Sequence, residues 1–143
     1  MRLSKSFKNT HGQAIVEMAF ALIFYAAFLF AIADLAKITY TWTSLQHVVN
    51  DSGRWGSVQT TTNNRTQMIK DRIISAAAAL RVTVQANDIT VGSGINQSLG
   101  YFNLKATANV NVSPLTGLLL TMFGNHSGVY RVTSESIIRN ETL

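Results

Sequence analysis

The hydrophobic pattern opens with a run that has no polar face. From Ala14 to Ala33, a stretch of 20 residues, Glu17 is the sole charge. At ~1.5 Å of rise per residue the run spans about 30 Å, one hydrocarbon thickness. The pattern then narrows to a stripe. Leu35, Ile38, Trp42, Leu45 and Val49 recur at spacings of 3, 4, 3 and 4, with Lys37, Thr41, Ser44, Gln46 and His47 off the stripe. The spacing predicts one continuous helix from about 14 to 50. Its first half is apolar all round, and its second half is amphipathic and packs its stripe on a head. Gly53 and Gly56 are expected to flank its end.

A polar loop at 57–64 precedes a second helix expected over about 65–80. Ile69, Ile73, Ala76, Ala77 and Leu80 form its buried face; Arg65, Lys70 and Arg72 form its wet face. Strand signals follow. Val82 with Val84, and Ile89 with Val91, are short alternations. Over 101–113, Phe102, Leu104, Ala106, Ala108, Val110 and Val112 alternate with polar neighbours. An apolar connection at 115–123 leads to a last strand at 129–139. A sheet of three or four strands with one apolar face needs a cover, which the striped half-helix and the second helix supply. The expected fold is α+β: a long N-terminal helix plus a second helix packed on a small antiparallel sheet. The domains are a basic leader at 1–12, a transmembrane half-helix at 13–33, an amphipathic half-helix at 34–56 and a head at 57–143.

Charge sharpens the membrane reading. The 143-residue chain carries a formal net charge of +5, and Arg2, Lys5 and Lys8 lie ahead of Gly12. Basic residues on that side place the N-terminus in the cytoplasm and the head outside. Basic residues do not cluster with aromatics downstream, so no nucleic-acid partner is expected. The chain has no cysteine, which excludes disulfides and thiol catalysis. His11, His47 and His126 stand apart without ligand spacing, and Asp34, Asp51, Asp71 and Asp88 are dispersed. With no nucleophile–base motif and no phosphate loop, neither an enzyme nor a bound metal or cofactor is expected.

Glu17 is the candidate functional residue. An acid at mid-bilayer costs roughly 2.5–3.5 kcal/mol on insertion scales. An acid in the first helical turn would instead gain about 0.3–1 kcal/mol from the helix dipole. Glu17 is the fifth residue after Gly12, behind a basic leader and ahead of a long uncharged run, and that setting favours a functional reading. Against this, Ala31-Ile32-Ala33 fits the small-residue pattern of ordinary signal peptidase. A cut there would start the mature chain at Asp34 and discard Glu17.

Gly12-Gln13-Ala14-Ile15-Val16-Glu17, Asp34-Leu35-Ala36-Lys37, Gly53-Arg54-Trp55-Gly56 and Arg139-Asn140-Glu141 together resemble the TadE-like family, minor pseudopilins of the tight-adherence (Flp) pilus system. The similarity is strong over about 11–58 and thin across the head. The resemblance implies a type IV pilin-like fold, cleavage between Gly12 and Gln13 by a membrane prepilin peptidase, and Glu17 as the retained glutamate of the fifth mature position. Such a cut would create an α-ammonium at Gln13 one helical turn from Glu17, able to neutralise it in its own or a neighbouring subunit. It implies other pilin or pseudopilin subunits and an inner-membrane assembly platform as partners. It places the chain as a single-pass protein of the bacterial inner membrane with a surface pilus as a further destination. Met18 stands where major Flp pilins carry an aromatic, and the head exceeds their size; both favour an accessory subunit. The competing expectation is an anchored extracytoplasmic adhesion domain that never polymerises.

Overall fold

The structure, a computed structural model, describes residues 10–59, 64–92, 100–112 and 129–139. The elements are α1 (Thr10–Ser57), α2 (Arg65–Ala79), β1 (Ile89–Val91), β2 (Tyr101–Asn111) and β3 (Val129–Arg139). The strands form one antiparallel sheet in the order β1-β2-β3, and the arrangement is α+β. Val82 and Val84 are buried but lie in irregular chain rather than in a strand. The connection expected at 115–123 falls outside the described residues.

β2 sets the inner face of the sheet. Side chains alternate across a strand, so Phe102, Leu104, Ala106, Ala108 and Val110 are buried while Asn103, Lys105 and Asn109 face out. Opposite them in register, Ile138 meets Phe102, Ser134 meets Ala106 and Val132 meets Ala108. The middle of this face is built from small residues, Ala106, Ala108 and Ser134, which leaves room for helices to approach. The outer face is mostly polar, with Tyr101 and Ile137 exposed on it. The Thr107 and Thr133 hydroxyls sit 3.2 Å apart, and the Asn103 amide donates to the Glu135 carboxylate.

The second half of α1 lies across this sheet. At 48 residues the helix is about 72 Å long. Its inward face corrects the expected stripe. Leu45 and Val49 are fully buried and Ile38 packs against the core, but Leu35 and Trp42 are 64% and 51% exposed. Their places inside are taken by Asp34, Ser44, Val48, Ser52, Gly53 and Gly56. The two glycines lie within the helix rather than beyond its end, because a Cβ at Gly53 would overlap Ile138 Cδ1 and one at Gly56 would overlap Ile69 Cδ1. The contact face is therefore made of small and polar residues, which a hydrophobicity pattern passes over.

α2 packs on α1 through Ile69, Ile73 and Ala77. Arg65, expected on the wet face, is buried instead at 1% exposure. Its Nε donates to the Gly56 carbonyl at 2.8 Å, and a terminal guanidinium nitrogen donates to the same oxygen. That carbonyl belongs to the last turn of α1, where helical carbonyls lack intrahelical partners and the dipole favours a cation. Burial pushes the Arg65 pKa down from its ordinary value through desolvation. Leu80, expected inside, sits at the surface.

Candidate functional site

Gly12, Gln13 and Glu17 all lie on the exposed first half of α1, with Gly12 already in helical chain that starts at Thr10. The Gln13 side-chain amide donates to Glu17 Oε1 at 3.0 Å, so the two residues share one face a turn apart. Among the described residues, nothing requires a glycine at position 12. A Cβ there would meet nothing within 4 Å, and alanine favours a helix by about 1 kcal/mol over glycine. The structural reasons that hold Gly53 and Gly56 do not apply to it.

Around Glu17 the helix presents an unbroken apolar surface. Ile15, Met18, Leu22, Phe24, Tyr25 and Phe28 are all more than half exposed. The most apolar 18-residue window of this helix has mean hydropathy 2.4 and none of it is buried. This differs from a soluble core helix, whose apolar residues are covered. Apolar side chains exposed on every face of a helix of this length suit lipid or the apolar faces of like helices.

Where the exposed half meets the head, Asp34 is buried at 2% exposure and its Oδ1 lies 3.4 Å from Lys37 Nζ. In the sequence Asp34 is only one of several dispersed acids. The available signal was its place in Asp34-Leu35-Ala36-Lys37 at the end of the apolar run.

At the far end of the head, Arg72 joins the two helices. It sits 5.0 Å over the Trp55 ring and 3.0 Å from Asp51 Oδ2. The ion pair is exposed and contributes about 0–1 kcal/mol at most. These residues border a groove of about 780 Å³ that Arg54 and Arg139 also line. The sequence reading singled out none of them for binding, because the charges come from three separate elements. Among the described residues, no group of three His, Asp or Glu side chains is placed to hold a metal ion.

Among the described residues, one helix is long and apolar enough to cross a membrane, and its continuation backs a small sheet, an arrangement that suggests a single-pass membrane protein with an α+β head. Residues 12–54 match the family model described as TadE-like protein, consistent with a TadE-like protein of the tight-adherence pilus system. The match begins at Gly12, spans the exposed half of α1 and most of its packed half, and leaves the rest of the head outside. No curated protein and no solved structure matches the chain.

Proposed function

We propose that the chain is a minor pilin or pseudopilin of a tight-adherence pilus: a structural subunit, not an enzyme. A prepilin peptidase cuts it after Gly12, and the mature chain starts at Gln13 with its N-terminal end toward the cytoplasm. It is held in the inner membrane and assembled with other pilin subunits into or onto the filament. The observation that carries this reading is Glu17, exposed within an unburied apolar helix one turn after Gln13 and five residues after Gly12, where the family match begins.

The mechanism follows from charge. A carboxylate in an apolar environment needs a partner, and removing one member of such a pair leaves an uncompensated charge that costs about 3–5 kcal/mol. The α-ammonium of a processed Gln13 would lie on the face that already brings the Gln13 amide to Glu17. A neighbouring subunit fits where its own cation meets that acid, which fixes the axial register of packing. Gly12→Ala blocks processing and leaves the leader attached. Glu17→Ala is processed at the normal site but is recovered from sheared pili at a small fraction of the wild-type amount. Wild-type incorporation of Glu17→Ala contradicts the mechanism.

A second reading draws on the arginine-lined groove beside Trp55. There the head is an anchored adhesion domain and α1 serves as a tether. It predicts normal piliation in a deletion strain and no crosslinks between neighbouring α1 helices, both opposite to the first reading.

A further inference from the structure

The end of the head nearest the apolar half of α1 carries a ring of cations and aromatics. On α1 these are Lys37, Tyr40 and Trp42, with both aromatics more than half exposed. Arg81 follows α2, and Tyr130 and Arg131 start β3. The Tyr40 hydroxyl donates to the Leu80 carbonyl at 3.3 Å, which ties the end of α2, and so Arg81, to the level of residue 40. That level is about 10 Å along the helix from Ala33, and Lys37 is about 6 Å along. The polar headgroup layer is about 5–8 Å deep on each side of the hydrocarbon. With residues 12–33 in a bilayer, Lys37 therefore stands within the headgroup layer, and Tyr40 and Arg81 stand about 3 Å beyond its outer edge, within reach of a long side chain.

Two cavities open in this ring. One of about 260 Å³ is lined by Lys37, Tyr40 and Arg81, with Asn109 and Asn111 of β2. The other, of about 330 Å³, lies between Trp42, Tyr130 and Arg131. Neither has an acid among its described lining residues. Asp34, beside Lys37, is the bordering carboxylate; Lys37 keeps 61% of its side chain exposed at a loose 3.4 Å from it.

Arg81 is also held in an unusual backbone. Its N–H donates to the Ala78 carbonyl at 3.0 Å, and the Val82 N–H to the Ala77 carbonyl at 2.9 Å. This is a Schellman ending with Arg81 at the left-handed position, φ 58°. Glycine adopts that conformation without strain. An arginine there sacrifices stability, and Arg81 lines the smaller cavity.

We propose that the Lys37–Arg81 cavity binds the phosphate of an anionic phospholipid headgroup, locking the head against the bilayer from which α1 emerges. Tyr40, Asn109 and Asn111 border the same cavity beside the two cations and add no charge to it. The proposal rests on residues 12–33 being a membrane span, and is independent of pilus assembly.

The test uses the full chain in neutral detergent, titrated with dioleoylphosphatidylglycerol, dioleoylphosphatidylcholine or inorganic phosphate while thermal unfolding is followed. Phosphatidylglycerol should raise Tm saturably, phosphatidylcholine much less, and inorganic phosphate not at all. Arg81→Gly should unfold at or above the wild-type temperature without lipid, because strain is relieved. It should bind phosphatidylglycerol about fivefold more weakly, the share expected of one cation at a lipid surface. Arg81→Lys should retain most of the affinity. Unchanged affinity in Arg81→Gly overturns the proposal, and so does an equal response to inorganic phosphate, which would assign a soluble anion instead. Carbonate extraction separates the two failures: a chain released from membranes removes the span and this site together, whereas a retained chain with unchanged affinity removes this site alone.

Discussion

Arg65 at the first turn of α2 reaches under the last turn of α1, and its Nε donates to the Gly56 carbonyl at 2.8 Å. The guanidinium is buried between the two helices, so the link joins α2 to the helix that continues into the apolar half. Hydrogen bonds from charged groups contribute about 1.5–3 kcal/mol. Arg65→Ala is expected to destabilise the head by about 2 kcal/mol, lowering its urea midpoint. Arg65→Lys should recover less than half of that, because an ammonium lacks the planar fork that places two nitrogens on one oxygen.

The register of α1 on the sheet gives a paired prediction. Leu45 and Val49 are fully buried, whereas Leu35 and Trp42 face outward. Leu45→Ala should cost about 2–5 kcal/mol through lost burial and a cavity. Leu35→Ala and Trp42→Ala should each stay within about 0.5 kcal/mol of wild type in head stability. Denaturation in mild detergent measures both. Equal losses at Trp42 and Leu45 would return the stripe to the register that hydrophobicity alone predicts.

Gly53 tests the close approach of α1 to β3. Alanine there gains about 1 kcal/mol of helix propensity but overpacks the site, at a cost of about 1–3 kcal/mol. Gly53→Ala is therefore expected to be mildly destabilising, since the Ile138 side-chain tip can partly swing away. Gly53→Leu cannot be relieved that way and should leave the head unfolded or shed from the helix, seen as rapid proteolysis. Gly12→Ala, with open space around it, should leave head stability unchanged.

Much of this architecture was legible from periodicity. The alternation from Phe102 to Val110 marks β2 because every second side chain enters one core, and the segment 129–139 is β3 as expected. α2 also falls where its 3.6-residue pattern puts it. The errors share a cause. Ser52, Gly53 and Gly56 face inward because backbones approach closely there, and closeness selects small residues rather than apolar ones. Arg65 is buried because it satisfies a helix-end carbonyl contributed by a residue nine positions away, which no local pattern encodes. At the site, Glu17 stood out because it is an acid in an apolar run, and Gly12 because it ends a basic leader five residues before that acid. The arginines around Trp55 were invisible because α1, α2 and β3 bring them together in space.

The account turns on whether the acid at position 17 gains an amino-terminal partner one turn before it. The direct measurement is the intact mass and N-terminal sequence of the membrane-extracted protein from cells carrying the tight-adherence machinery. A chain beginning at Gln13 is the predicted result. A chain beginning at Met1 or at Asp34 would contradict it, since the first never frees that amine and the second discards Glu17.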